Sequence, residues 1–218
     1  MTHPHSNYAP PHDNGLDLIC RDDSLIVLNK PAGLLAVPGR GADKQDCLAS
    51  RVQAEFPDAL VVHRLDMATS GLLLFARNAE MQRLLSRMFR EREIQKRYVA
   101  VVAGKPGPSP GEIDLRLSGD WPNRPKQKVD AVSGKPSLTR YRLLEHDSGT
   151  NTSRMELEPI TGRTHQLRVH MAAIGHPVMG DALYGVHRAE RLMLHACSLS
   201  FTHPLSGELI DLWCEPPF

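Results

Sequence analysis

Residues 60–75 read LVVHRLDMATSGLLLF and place one acid, Asp66, in a polar loop between two apolar runs. The apolar runs, residues 60–62 and 72–75, predict two short strands, and Gly71 allows a tight turn between them. A strand, a polar loop and a second strand would hold Asp66 on a rigid rim, where catalytic groups usually lie. For an isolated Asp, the alternative is a residue that stabilises a turn.

Short strand patterns dominate the rest of the chain, with three helical patterns between them. Strands are predicted at 16–20, 25–28, 72–76, 98–102, 113–117, 138–145, 155–157, 192–201 and 210–213, the first two forming a hairpin. Helices are predicted at 46–56, at 78–89 after an Asn78 cap, and at 164–174. The segment GKPGPSPG at 104–111 predicts a lobe boundary. The pattern is that of an α+β protein.

Charge is balanced over the whole chain but clustered locally. The 218 residues are 41% hydrophobic, enough to form one large domain or two lobes, and the net charge is only +1. An anionic partner would therefore be held by local clusters. The two clusters are Arg83, Arg87 and Arg90 on one predicted helix face, and Arg124, Lys126 and Lys128 farther along. A solvated face is the alternative for the helix, but crowded like charges favour a phosphate nearby.

Metal, cofactor and membrane signals are not found in the sequence. The four cysteines are too scattered for zinc-ligand spacing, and His165 and His170 are five residues apart, so they point in different directions. No HExxH motif, Gly-rich phosphate loop, signal peptide or apolar run of about 18 residues occurs. We expect no metal, no cofactor and a cytoplasmic protein with reduced thiols. Residues 1–15 have little apolar content and predict a disordered tail.

Three polar groups lie beside apolar strand ends, where partial desolvation changes reactivity: Asp66, Tyr98 and Arg163. With a cationic partner Asp66 would be ionised and could serve as a nucleophile or as a base. Arg163 is the first candidate partner, because the surrounding sequence TGRTHQ predicts a turn that enters a helix. Tyr98 could stack on a planar ring or carry a proton with its hydroxyl, and an ordinary core residue is the alternative.

Three motifs together resemble those of the RluA family of pseudouridine synthases. HRLDMATSG at 63–71 is similar to the catalytic motif of the family, KRY at 96–98 to its tyrosine motif, and GRTHQLRVH at 162–170 to its arginine motif. LHA at 194–196 fits a further family signature, and DWPNRPKQK at 120–128 resembles a narrower branch of the family. The resemblance covers residues 16–218. We expect no S4-type RNA-binding domain before them, because residues 1–15 are too short for one, and RNA contacts are therefore expected from the catalytic domain itself.

The resemblance implies a fold and a reaction. The fold would be a mixed, largely antiparallel sheet in two lobes, with flanking helices and a central active-site cleft. The reaction would isomerise a uridine within RNA to pseudouridine: the N1–C1′ bond breaks, the base rotates, and C5 joins C1′. No cofactor is required. Asp66 would act at the sugar as nucleophile or base, Arg163 would pair with it, and Tyr98 would pack against the base.

The resemblance also implies substrates, namely 23S ribosomal RNA and the anticodon stem-loop of certain tRNAs, for a monomer without membrane attachment. A single RNA substrate is the alternative. The target base must leave its stack, and we hypothesise that Arg64 fills the vacated space, because a guanidinium can stack as well as pair. The expected RNA-binding residues are Arg64, Arg83, Arg87, Arg90, Arg124, Lys126, Lys128 and Arg168.

Two other classes of function are considered. A non-catalytic RNA-binding module would keep the basic clusters but would not need the acid. A hydrolytic glycosidase would normally require a second acidic residue.

Overall fold

The computed structural model describes residues 8–185 and 189–218, and the chain divides into two compact units, Met1–Arg87 and Met88–Phe218. The predicted lobe boundary at 104–111 is therefore wrong. The division falls within a helix, and the Pro- and Gly-rich segment instead joins two strands of the second unit. Proline and glycine mark a break in regular structure, which any loop within a unit also provides.

The first unit is built on an antiparallel sheet. Its strands are β1 (Leu18–Arg21), β2 (Leu25–Lys30), β3 (Leu60–Val61) and β4 (Ser70–Ala76), and its helices are α1 (Leu48–Glu55) and the start of α2 (Ala79–Glu91). Strand β2 pairs with β1 and β4, and β3 also pairs with β4. Every residue of β4 is buried, which explains why its sequence is continuously apolar rather than alternating. The predicted N-terminal hairpin and the strands flanking Asp66 are confirmed.

Local sequence signals account for both helices. Asn78 Oδ1 accepts a hydrogen bond of 2.8 Å from the Met81 amide, so the predicted cap of α2 is confirmed. Met81, Leu85 and Met88 are buried at the spacing of one helical face. Helix α1 begins after Cys47, whose thiol accepts from the Ser50 amide in a capping box.

The second unit contains a larger antiparallel sheet and a separate hairpin. Its elements are β5 (Gln95–Ala103), β6 (Gly111–Asp114), β7 (Leu117–Gly119), β8 (Gln127–Val129), β9 (Leu138–Asp147), β10 (Thr152–Pro159), α3 (Gln166–Ala173), β11 (Leu194–Thr202) and β12 (Leu209–Trp213). The large sheet has the order β12-β11-β5-β10-β9-β6. Strands β7 and β8 pair only with each other among these strands and form what we call the basic hairpin, residues 117–129.

The predicted α+β class is confirmed, as is the helix at 164–174, which is observed at Gln166–Ala173. Gly175 follows it with φ +86°, the left-handed conformation that commonly ends a helix. The sequence did not predict β7 and β8, because strands of three residues carry almost no periodic signal. Within the described residues, no helix is both long enough and apolar enough to span a bilayer.

Part of the segment expected to be a disordered tail contacts the first unit. The Tyr8 hydroxyl donates to the Asp46 carbonyl and accepts from the Leu35 amide, both at 3.0 Å. Arg51 donates to the Pro11 carbonyl at 2.8 Å. A single aromatic ring with a polar tip is enough to attach a segment of otherwise low apolar content. Residues 1–7 lie outside the described residues.

Candidate active site

The Asp66 side chain is half-buried in the loop between β3 and β4. The backbone carbonyl of Asp66 accepts from the Thr69 amide at 3.1 Å, and the backbone carbonyl of Met67 accepts from the Gly33 amide at 2.8 Å. His63 Nε2 accepts from the Leu74 amide at 3.0 Å, which fixes the start of the loop to β4. The loop is thus held to fixed backbone from several directions, and Asp66 occupies the kind of rigid rim that the sequence predicted.

A buried lysine supports the same loop, and sequence reasoning missed it. Lys30 is fully buried at the end of β2, and its ammonium donates to the carbonyls of Pro31 at 2.9 Å, Leu34 at 2.7 Å and Met67 at 3.1 Å. A buried ammonium is tolerated because these three acceptors match its three donors. It links the turn after β2 to the residue next to Asp66. A lysine at the end of an apolar strand, directly before Pro31, was the available signal.

Arg64, next to this loop, is exposed, as a residue that enters RNA would have to be. Met67 on the other side of Asp66 is 45% exposed, although it is a large apolar residue. Arg64 and Met67 therefore face solvent, while Leu65 and Thr69 are buried and anchor the loop.

Tyr98 lies in the second unit, on the central strand β5. Leu157 of β10 and Ala196 of β11 are its neighbours across the sheet, and its side chain is half-buried rather than part of the core. Lys96 precedes it on the same strand. Burial, together with the nearby positive charge of Arg92, lowers the pKa of the Lys96 ammonium.

Arg163 lies on the exposed loop that follows β10. Its Nε donates to the Pro136 carbonyl at 3.3 Å, and its amide donates to Gln166 Oε1 at 3.0 Å. A Cβ added to the preceding Gly162 would lie 3.9 Å from Lys96 Nζ. The tyrosine motif on β5 and the arginine motif are therefore neighbours within the second unit, whereas the Asp66 loop belongs to the first.

Gln166 is the buried residue that shapes the Arg163 loop. Its Oε1 accepts from the Thr161 hydroxyl at 2.7 Å as well as from the Arg163 amide, and its Nε2 donates to the Leu138 carbonyl at 2.9 Å. His165, the residue before α3, has φ +53°, a left-handed conformation that is unfavourable for a side chain with a Cβ. The side-chain amide of Gln166 therefore stabilises a turn that would otherwise be strained.

Arg168 does not occupy the position expected of an RNA contact, and that prediction is corrected here. Its side chain is 5% exposed, and Nε and Nη2 donate to the two carboxylate oxygens of Asp181 at 2.7 and 2.8 Å. The sequence pattern could not show this, because α3 is buried on more than one face and the partner lies 13 residues away.

Asp181 and Tyr184 continue this buried network. Burial alone would raise the pKa of the Asp181 carboxyl, but the hydrogen bonds and charge of Arg168, with the amides of Leu183 and Tyr184, hold that pKa below its ordinary value. The Tyr184 hydroxyl lies 2.7 Å from His165 Nδ1 and also accepts from the Gln127 amide at 2.7 Å. Tyr184 therefore joins the start of α3, three residues from Arg163, to the basic hairpin.

The predicted basic residues are mostly exposed. Those with exposed side chains are Arg83, Arg87 and Arg90 on α2 and Arg124 and Lys128 in the basic hairpin, and Lys126 is half-buried. Arg90 lies 3.7 Å from Glu91, a solvated pair that adds little stability. Exposed cations on a helix and on a hairpin fit contacts to an anionic backbone.

Comparisons with known proteins agree with this geometry. The family model described as RNA pseudouridylate synthase matches residues 24–173, a range that contains Asp66, Tyr98 and Arg163. The chain is 51% identical over 205 residues to the dual-specificity RNA pseudouridine synthase RluA of Escherichia coli (strain K12), covering 92% of this chain and 93% of that protein. For the protein of the same name from Pasteurella multocida (strain Pm70), identity is 46% over 216 residues, with 97% and 98% covered.

A solved structure is also similar. Human RNA pseudouridylate synthase domain containing 1 superposes with a TM-score of 0.79 at 33% sequence identity, covering 96% of this chain and 87% of the human one.

Proposed function

Since the chain belongs to the RNA pseudouridylate synthase family, we propose that this isomerase converts specific uridines to pseudouridine in 23S ribosomal RNA and in the anticodon stem-loop of certain tRNAs. The single observation that carries the choice of substrates is the match to dual-specificity relatives over nearly the whole of both chains. The catalytic domain would be residues 16–218, acting as a cytoplasmic monomer.

Asp66 would carry the chemistry at the sugar. Its carboxylate either attacks C1′ as the N1–C1′ bond breaks or removes the proton from C2′. In both routes the detached uracil rotates and C5 joins C1′, while the C5 proton moves to the solvent and N1 gains one. In the first route the carboxylate–C1′ bond breaks as C5 attacks C1′, and in the second route the carboxylic acid returns its proton to C2′, so that Asp66 is regenerated. The loop geometry supports this role, because backbone hydrogen bonds and the Lys30 ammonium hold the backbone of the loop that carries the carboxylate before substrate binds.

Arg163 and Tyr98 would assist Asp66. Arg163 is proposed as the cation that pairs with the Asp66 carboxylate, as the resemblance of the GRTHQLRVH segment to the arginine motif of the family implies. Tyr98 would pack its ring against the target base. The carboxylate cannot reach the sugar while neighbouring bases cover the nucleotide, so the base must leave the stack, and Arg64 would fill the gap.

Substitution of the acid tests the reaction. Asp66→Asn should lower the rate of tritium release from RNA labelled at uridine C5 by roughly 10³-fold or more, because it removes the reacting carboxylate but keeps its shape. Asp211→Asn, an exposed acid on β12, is the matched control and should keep full activity. Full activity of Asp66→Asn would refute the role of this residue.

Product analysis separates the other classes of function. A non-catalytic RNA-binding module would bind the RNA and release no tritium even as the wild-type protein. A hydrolytic glycosidase would release free uracil instead of retaining the base with a new linkage. Mapping of pseudouridine in RNA from cells that lack this protein then distinguishes two substrates from one, since sites would be lost from both RNAs or from only one.

A further inference from the structure

The most exposed aromatic side chain among the described residues is Trp121, which is 72% exposed. It opens a short 3-10 turn, Trp121–Asn123, at the tip of the basic hairpin. Large aromatic residues usually bury most of their surface, and tryptophan is enriched at binding interfaces. Trp121 is not part of the core of the second unit, so packing does not explain its presence.

The turn holds the indole in place without burying it. The Asp120 amide donates to the Lys126 carbonyl at 2.9 Å and closes the loop, and inside it the Lys126 amide donates to the Asn123 carbonyl at 3.0 Å. The Asn123 side chain donates to the Asp120 carboxylate at 2.9 Å. At its base, the loop is attached to Tyr184 through the Gln127 amide. A ring held in this way loses little conformational entropy on binding.

One face of the indole is already covered by a cation. The guanidinium carbon of Arg124 lies 3.4 Å from the centre of the Trp121 ring, which is a stacked arrangement. With 72% of the side chain still exposed, the opposite face is open to solvent. That face has the size and flatness of a nucleobase.

The charges around the ring favour a polyanion. Residues 116–135 contain five cations and two acids: Arg116, Arg124, Lys126, Lys128 and Lys135, with Asp120 and Asp130. Both carboxylates accept hydrogen bonds from groups within residues 118–133. Asp120 accepts from Asn123, and Asp130 accepts from the Ser133 and Val132 amides and the Ser118 hydroxyl. Arg116 donates to the Gly134 carbonyl within the segment, whereas Arg124 and Lys128 have exposed side chains that can contact an external polyanion.

We propose that Trp121, backed by Arg124, is a stacking site for one unpaired base of the RNA substrate, with Lys126 and Lys128 contacting the adjacent phosphates. The inference rests on the proposed function and adds a point of substrate recognition outside the reacting residues. Stacking needs a base that is not covered by a neighbour, so the site selects loop nucleotides over a continuous duplex.

The two tryptophans of the chain permit a direct test. Trp213→Phe leaves Trp121 as the only tryptophan, and Trp121→Phe leaves Trp213, which is on β12 and donates to Glu215. Each variant is titrated with a stem-loop RNA that the wild-type protein modifies, and with a fully paired duplex of the same length. We expect the stem-loop to quench the emission of Trp121 strongly and the duplex to quench it little, with Trp213 unaffected by either.

Affinity and thermal stability complete the test. Trp121→Ala should weaken stem-loop binding by about 10-fold or more, the usual scale for loss of one stacked base, while Trp121→Phe keeps most of it. The thermal midpoint of Trp121→Ala should equal that of the wild type, since the side chain is exposed. Equal quenching by duplex and stem-loop, or wild-type binding by Trp121→Ala, would overturn the proposal. Failure of the proposed function is distinct, because the wild-type protein would then form no pseudouridine in any RNA.

Discussion

Replacement of Asp181 by asparagine should strongly destabilise the second unit. The carboxylate contacts the buried Arg168 guanidinium at 2.7 and 2.8 Å, and the two side chains are 0% and 5% exposed. Removing one member of such a pair leaves a buried charge uncompensated, which lowers the free energy of unfolding by about 3–5 kcal/mol. Proteins of this size lose about 2–4 °C per kcal/mol, so the thermal midpoint should fall by about 6–20 °C.

Urea titration followed by tryptophan emission is the suitable assay. Both tryptophans lie in the second unit, so their emission reports on the unit that contains the substitution. The midpoint should shift with an unchanged slope, because the surface exposed on unfolding stays the same. The matched control is Glu112→Gln, which removes the acid from the Arg140 pair at 2.8 Å. Those side chains are more than half exposed, so the expected change is only about 0–1 kcal/mol.

A double substitution and a pH series distinguish charge burial from other causes. Adding Arg168→Met to Asp181→Asn removes the stranded cation and should recover part of the lost stability. The folded pKa of Asp181 lies below its ordinary value of 3.8, so its contribution is present above that value and is lost as the pH falls through the folded pKa. The difference between wild type and Asp181→Asn should therefore close in acid. An Asp181→Asn shift no larger than that of Glu112→Gln would refute the reasoning.

Three further measurements test the structure. Burial, assisted by the positive charge of Arg191, lowers the pKa of His195 from 6.5 to about 4. The stability that neutral His195 contributes above pH 6.5 should therefore fall between pH 6.5 and about 4. In urea titrations, His195→Gln should flatten this pH dependence. Of the four thiols only Cys20 is not buried, so a thiol reagent should label one cysteine per folded chain and none in Cys20→Ser; labelling of a second thiol would contradict the burial pattern. On α2, the exposed Arg83 is the arginine to test, and Arg83→Gln should reduce the slope of log affinity for RNA against log salt by about 0.7–0.9. Arg142→Gln, which removes a cation paired with Glu156, should leave that slope unchanged.

The sequence alone predicted the secondary structure around the site and the reaction class. Alternation and apolar runs depend only on neighbouring residues, so the strands flanking Asp66, the Asn78 cap and the helix after Arg163 could be read directly. The three motifs named the family, which the match over residues 24–173 confirms. The individual roles of Asp66, Tyr98 and Arg163 stay predictions for the experiments above.

The tertiary structure decided which charged residues are available for RNA. Arg168 and Arg163 belong to one motif, yet Arg163 is exposed and Arg168 is buried against Asp181. Lys30 is buried because its ammonium reaches a carbonyl 37 residues away, next to Asp66. Burial of a charge requires a compensating partner, and such partners are brought together by the packing of distant segments. A pattern confined to neighbouring residues contains no record of that packing, which is why the sequence pointed to Asp66 as the candidate acid but not to the lysine that supports its loop.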